Sequence, residues 1–578
     1  MLKHLGPNGI RFLTSTFNGC INQSDIPPIW KVGRIIPLLK PKKPQDQGPS
    51  YRPISLLSPA AKILECLVLV HLQEAVPLAD HQHGFRKGRS TTTALLDIVN
   101  HIKSGLNRTK PVERTVLVAV DLSRAFDTVD HAILINDIAA LDLNITIKRF
   151  LVAYLRGRQT FVEFRGKRSK CRKMRQGVPQ GGVLSPTLFN LYMSPMPTPP
   201  PKVKLTTYAD DGSVMARDKK IQPICDRLNP YLDTLNTWFK QRNLFISPAK
   251  SSATVFTTWS NECSIDLPIF IDGVKVPTVK DPKILGVTLD PLLTFRTHAQ
   301  NIKKKLTSRN NVLKALAGST WGMEKEVLLT TYKAISKPLI NYCAPIWTPT
   351  LCDSQWQELQ ACQNSALRTA LGCTKMTSVD HLHAESLVMP AKAHNEMLSK
   401  QFLLRTKLAD HPNKQDAADN LQNFRLMKPT LQSKFEASIQ HLAPDNPNEI
   451  EYKAGIKAIH GSCVTEAIHA QSDNRVLGAR PPKINQNEKT LPRATRCTLS
   501  QLRSGHSPFL QEYLHRINPD LHQDSCPDCR QSPHNTQHLF DCPANPTDLD
   551  TWILWEDPPA AAEFLGLPHG PGPPDEDD

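Results

Sequence analysis

The sequence predicts an α+β chain, and three stretches carry that expectation. Within TVLVAVDLSRAFDTVD (115–130), the continuous apolar run from Val116 to Val120 has the composition of a buried central strand that delivers Asp121 at its carboxyl end. In and around TTYADDGSVMA (206–216), Val203, Leu205 and Thr207 alternate before a turn and Val214 and Ala216 after it. This predicts a hairpin presenting adjacent carboxylates at Asp-Asp-Gly. From 221 to 243, Ile224, Leu228, Leu232, Leu235, Trp238 and Phe239 recur at helical spacing, so a long amphipathic helix should pack beneath the sheet.

Length and charge bound the rest. A chain of 578 residues allows two to four domains, and a 40% hydrophobic content supplies their cores. The net charge of +16 favours a polyanionic partner. Fourteen cysteines are scattered except for one C-terminal group, which predicts a reduced, intracellular protein. The opening MLKHLGPNGIRFL lacks the apolar core of a signal peptide, and no 18 successive residues are apolar, so no membrane association is expected.

In chain order, residues 1–24 read as a short helical lead-in. IPPIWKVGRIIPLLKPKKP (26–44) alternates through Val32, Ile35, Ile36 and Leu39 before turning basic at Lys40, Lys42 and Lys43, the pattern of a hairpin with a cationic tip. HGFRKGRSTTTALLDIVNHI (83–102) sets Arg86, Lys87 and Arg89 ahead of a helix capped by Ser90 or Thr91, where cations and free amides would suit a phosphate. Asp127 is expected to cap the helix that follows Asp121. Gly177, Gly181 and Gly182 in RQGVPQGGVLSPTLFNLYM (175–193) would permit a close backbone approach that a bulky side chain would block. Ser185-Pro186 reads as a cap and start for the next helix, and Pro199-Pro200-Pro201 as its end.

Asp121, Asp210 and Asp211 thus form three carboxylates at strand ends. Neighbouring aspartates repel unless cations sit between them, and two magnesium ions held by aspartates suit in-line attack on a nucleoside triphosphate. Further on, AQNIKKKLTSRNNVLKALAG (299–318) is a helix with Ile302, Leu306, Leu313 and Leu316 on one side and a basic remainder suited to a polyanion. Helical patterns continue to about 410, with His381 and His383 taken as ordinary histidines. Cys526-x2-Cys529-x8-His538-x3-Cys542 has the spacing of a tetrahedral zinc site, and the final Asp-Glu-Asp-Asp reads as a solvated terminus.

Asp121 with Phe126, Gln180-Gly181-Gly182 with Ser185-Pro186, and Tyr208-Ala209-Asp210-Asp211 follow one another in the order of motifs A, B and C of a reverse transcriptase. The chain resembles the Jockey-like reverse transcriptases of non-LTR (LINE-type) retrotransposons, and SYRPISLLSPAAKILE (50–65), HGFRKGRSTTTAL (83–95) and ILGVTLD (284–290) are similar to that family. The resemblance implies a right-hand polymerase, with fingers and palm at 25–295 and a helical thumb at 296–410. The stretch 411–495, rich in Asn, Pro, Lys and Gln, reads as a loosely packed connector, with a zinc-knuckle-like region (496–545) and a Pro-rich acidic tail (546–578) after it. The resemblance also implies the C-terminal part of a polyprotein, without the endonuclease domain.

By the same resemblance, Arg52 would lie over the incoming triphosphate, Gln180 and Gly181 beside the nucleotide, and Lys250 where it can protonate the leaving pyrophosphate. Phe126 would pack beneath the sugar and exclude a 2′-hydroxyl. The hairpin at 284–290, with Gly286, would grip the primer. Ser247-Pro248 departs from the family's usual Asn. The implied ligands are an RNA template, a DNA primer or nicked target DNA, deoxynucleoside triphosphates, two Mg²⁺ ions, and Zn²⁺ at Cys526, Cys529, His538 and Cys542. The family places target-primed synthesis in the nucleus and particle assembly in the cytoplasm. A second reading is a nucleic-acid-binding remnant without effective polymerisation.

Overall fold

The computed structural model describes residues 4–41, 43–108, 111–318, 322–408, 411–413, 428–442, 444 and 447–568, so Lys42 and the terminal Asp-Glu-Asp-Asp lie outside the described residues. Two compact units divide the chain. The first runs to Leu293 and includes Lys428, and the second begins at Thr294.

Two sheets organise the first unit. One holds β1 (Val32–Leu39), β2 (Tyr51–Leu56), β4 (Gln159–Phe164), β5 (Lys167–Arg168) and β6 (Arg172–Lys173). The other holds β3 (Arg114–Val120), β7 (Val203–Tyr208), β8 (Asp211–Asp218) and β9 (Ser252–Phe256) in the order β7-β8-β3-β9. The helices are α1 (Pro7–Gln23), α2 (Pro59–Ala75), α3 (Thr91–Leu106), α4 (His131–Ala140), α5 (Ile145–Leu155), α6 (Ser185–Met193) and α7 (Ile221–Gln241).

The apolar run at 116–120 becomes the middle of β3, which pairs antiparallel with both β8 and β9. Strand periodicity sends its side chains to two faces. Val116, Val118, Val120, Val214 and Ala216 join one buried cluster with Ile224, Leu228, Leu232, Leu235 and Phe239 of α7, and α3 packs against the sheet as well. Each edge of this sheet is bridged at one residue. At β7, His83 N–H donates to Thr207 O (2.9 Å) and Thr207 N–H to His81 O (2.8 Å). At β9, Ala253 N–H donates to Pro277 O and Val279 N–H to Ala253 O, both at 2.9 Å.

Several local expectations shift. The hairpin turns on Ala209–Asp210, one residue before Asp-Asp-Gly, because Tyr208 pairs with Asp211 and Thr207 with Gly212. The packing of Val214 and Ala216 in the cluster shared with α7 fixes that register, since a one-residue slip would move both to the opposite face of the sheet. Asp127 lies in a 3-10 turn, and Asp130 caps α4 instead by accepting from the Ala132 and Ile133 amides. Ser185 does not cap α6. The buried Glu65 carboxylate of α2 accepts from the Val183 (2.6 Å) and Leu184 (3.1 Å) amides and occupies that helix start. Ser90 caps α3 in a capping box with Thr93.

The second unit is helical. Arg296–Ala315 buries Ile302, Leu306 and Leu313 and leaves Lys303, Lys304, Lys305, Arg309 and Lys314 exposed. Leu313, Leu328, Tyr332, Ala366, Leu367 and Leu382 share one core cluster. Residues 411–495 were expected as a loosely packed connector. They carry the helices Leu431–Ile439 and Glu449–His469, both packed on Ala391–Thr406. Nor does a tail begin at 546, for Leu554, Trp555, Ala561 and Ala562 are buried with Leu499, Leu502, Tyr513 and Phe540. Proline-rich composition hid those apolar side chains. Among the described residues, no helix is long and apolar enough to cross a membrane.

Candidate active site and metal centre

Register brings the three aspartates together. Val120 pairs with Gly212, so Asp121, next along β3, lies beside Asp211 at the start of β8, with Asp210 at the hairpin tip. Ala209 adopts φ +57°, a left-handed conformation that costs a non-glycine residue energy, and the tip is pressed against Gly84. A Cβ on Gly84 would stand 2.3 Å from the Ala209 nitrogen, so the close approach needs glycine there.

Electrostatics follow from that geometry. Desolvation raises the Asp210 carboxyl above its usual range, the Asp121 charge adds to it, and Arg52 opposes it. Asp211, although its residue is open to solvent on one side, is desolvated against the protein and faces Asp210 and Asp121, which together push it up to about 6. Lys250 Nζ lies 3.8 Å from an Asp121 oxygen. Three hard-oxygen donors, opposed here by Arg52 and Lys250, form a donor set suited to divalent cations.

The turn carrying Lys250 also fixes Asp121. Ser247 N–H donates to Asp121 O (2.8 Å), and Asp121 N–H donates to the buried Ser251 hydroxyl (3.2 Å), which itself donates to Ser247 O (2.9 Å). Ser247-Pro248, the departure from the family pattern, therefore forms a closed turn beneath the aspartate. Sequence reasoning missed Ser251.

Phe126 stacks on Phe189 with centroids 4.3 Å apart and meets Phe85 edge-on at 6.1 Å, so its ring is held from two sides. Gln180 donates its amide to Asp127 (2.9 Å). Burial raises the Asp127 carboxyl, while Gln180, Arg124 and Lys40 offset part of the rise. Gly181 (φ +127°) permits a contact inside the protein: a Cβ there would lie 2.4 Å from Ser55 O, while Ser55 N–H donates to Gln180 O at 2.7 Å. This joins β2, and hence Arg52, to the Gln180 loop. Of the cations expected to meet a phosphate, Arg86 donates to Ala79 O, and Arg89 to Asp80 and Gln82 O. They stitch their own loop, and only Lys87 of the three is exposed. At 283–288 a short antiparallel pair surrounds Gly286 (φ +87°).

Cys526, Cys529, His538 and Cys542 place one ligand atom each within 4.8 Å of one another, a Cys/His cluster suited to zinc. Among the described residues the three aspartates do not gather this tightly. Burial opposes ionisation of Cys526, but the amides of Cys529 and Asp528 and hydrogen bonds with His538 and Cys529 bring its thiol down to about 7. Asn535 caps the short helix carrying His538, whose Nε2 is 3.2 Å from Cys529 Sγ.

The family model described as reverse transcriptase (RNA-dependent DNA polymerase) matches residues 40–289. Three relatives from Drosophila melanogaster are similar to this chain. The probable RNA-directed DNA polymerase from transposon BS is 31% identical over 66% of this chain and 43% of its own length. That from transposon X-element is 31% identical over 72% and 46%. The RNA-directed DNA polymerase from mobile element jockey is 27% identical over 71% and 45%. This chain therefore spans less than half the length of these relatives.

Proposed function

Because the chain belongs to the reverse transcriptases of non-LTR retrotransposons, we propose that it is an RNA-directed DNA polymerase extending a DNA 3′-hydroxyl on an RNA template with deoxynucleoside triphosphates. The observation that carries the proposal is the strand register that sets Asp121 beside Asp211, with Asp210 at the tip.

Asp121, Asp210 and Asp211 would hold two magnesium ions. When bound, these ions lower the pKa of the attacking hydroxyl and neutralise charge on the pyrophosphate. Arg52, on the exposed face of β2 with its charge felt at Asp210, pairs with the triphosphate oxygens, for which a guanidinium fork is suited. Phe126, braced by Phe189 and Phe85, leaves no room for a 2′-hydroxyl. The carboxylate of Asp127 can only accept, so it turns the Gln180 amide nitrogen inward and leaves the carbonyl oxygen for the nucleotide. Lys250, about two-thirds exposed, exchanges Asp121 for the pyrophosphate and gives it a proton.

Fingers and palm are assigned within 25–295 and a thumb within 296–410, and the partners would be an RNA template and a DNA primer. The primer would be nicked target DNA in the nucleus, and the cytoplasm would be the site of particle assembly. The zinc-knuckle-like region would grip RNA or target DNA.

Primer extension on poly(rA)–oligo(dT) with Mg²⁺, beside an Asp210→Ala, Asp211→Ala double variant, tests the proposal. Extension lost in the variant supports it. Folded wild-type protein that binds the duplex with a steep salt dependence yet extends nothing would replace it with the binding-remnant reading.

A further inference from the structure

Residues 165–175, RGKRSKCRKMR, hold seven cations in eleven positions and no carboxylate. All seven are exposed, and among the described residues none of them enters an ion pair. The stretch folds back on β4 through a turn at Arg165 (φ +49°) and Gly166 (φ +77°), so that β5 pairs with Glu163–Phe164 and β6 with Gln159–Thr160. Like charges concentrated on one sheet edge repel. The one carboxylate of β4, Glu163, is taken by Arg34 at 3.6 Å.

This edge adjoins the β1–β2 tip. Arg165 reaches Gln45 at the β1–β2 tip (3.4 Å), and Phe164 meets Tyr51 edge-on at 5.7 Å. The same tip bears Lys40, whose charge is felt at Asp127, and Arg52, whose charge is felt at Asp210. Guanidinium groups lie over two rings, Arg168 over Phe161 (3.7 Å) and Arg165 over Phe164 (5.2 Å). Phe164 remains 40% exposed. Cations interleaved with an exposed aromatic ring suit a strand whose phosphates and base faces are both accessible, which a duplex does not offer.

We propose that the 165–175 hairpin binds the unpaired RNA template before it enters the active site, as a track separate from the duplex-binding surface. The inference rests on the polymerase reading for its direction but not for its measurement. Anisotropy, without nucleotide, would compare RNA–DNA duplexes that are blunt or carry eight unpaired template nucleotides, using the full chain and a Lys167→Ser, Arg172→Ser, Lys173→Ser variant. Arg165 and Arg168 are kept so that both ring contacts survive, and an unchanged Tm confirms the fold.

Wild-type protein should bind the extended duplex about tenfold or more tightly than the blunt one. The variant should lose that gain, keep its blunt-end affinity within about twofold, and show a salt slope shallower by about two, at roughly 0.7 per phosphate of a single strand. Equal weakening on both substrates, or no change on either, overturns the track. A preserved overhang effect in a protein that extends nothing would fault the polymerase reading alone.

Discussion

The aspartates at the ends of β3 and β8 and the cysteine–histidine group at 526–542 are both suited to cations, but they solve the problem of clustered ligands differently. In the second, soft donors already stand within 4.8 Å of one another, and backbone amides bring Cys526 down to about 7. In the first, desolvation against the protein, with repulsion from Asp210 and Asp121 added to it, lifts Asp211 to about 6. A gathered set suits an ion that stays and holds the fold, whereas an open set suits ions that exchange with substrate.

Removing zinc should break the comparison most visibly. Structural zinc binding in small modules is worth on the order of 10 kcal/mol, so chelation or Cys526→Ser should melt the core around Leu502, Phe540 and Trp555. Calorimetry of the full chain should lose a transition, while extension on a preformed duplex stays within about threefold. Next comes Asp210→Ala, for which extension should fall by at least about 10³-fold with duplex affinity retained. Equal loss of binding would mean that the tip serves folding instead. Lys250→Ala should cost roughly 10²-fold in kcat and little in KM, as expected for a proton donor.

The smallest effect concerns pH. Asp211 has a folded-state pKa raised above its unfolded value, so the folded protein binds the extra proton between about pH 4 and 6. Without metal, stability therefore falls as pH rises through that window. Asp211→Asn should stabilise the metal-free protein at pH 7 by at most about 1 kcal/mol after discounting for solvent screening, read as a raised Tm. With the native aspartate, the Mg²⁺ concentration for half-maximal extension should climb as pH drops below about 6. A flat Mg²⁺ requirement from pH 5 to 7.5 would show that Asp211 plays no part in holding the ions.

Period and composition made β3, the hairpin and α7 legible, because each buries a regular stripe. Partners distant in sequence were not. Glu65 reaches the start of α6 across more than a hundred residues, and Ser251 supports Asp121 across a similar span, yet each sits in a locally ordinary stretch. The close approaches of Gly177 and Gly181 are to Asp127 O and Ser55 O, which no local pattern announces. The basic hairpin at 165–175 escaped notice because its two short strands carry no apolar alternation. The prolines of 546–568 pointed to a tail, while Leu554 and Trp555 were already committed to a core.

The two short bridges on the catalytic sheet also bear on solubility. An open edge at β7 or β9 would offer unpaired amides and carbonyls to another chain, the usual template for strand-to-strand aggregation. Here Thr207 is engaged by the 81–83 segment and Ala253 by 277–279. A truncated protein beginning after residue 90 would bare the β7 edge, and it should precipitate or form higher oligomers even with all three aspartates in place.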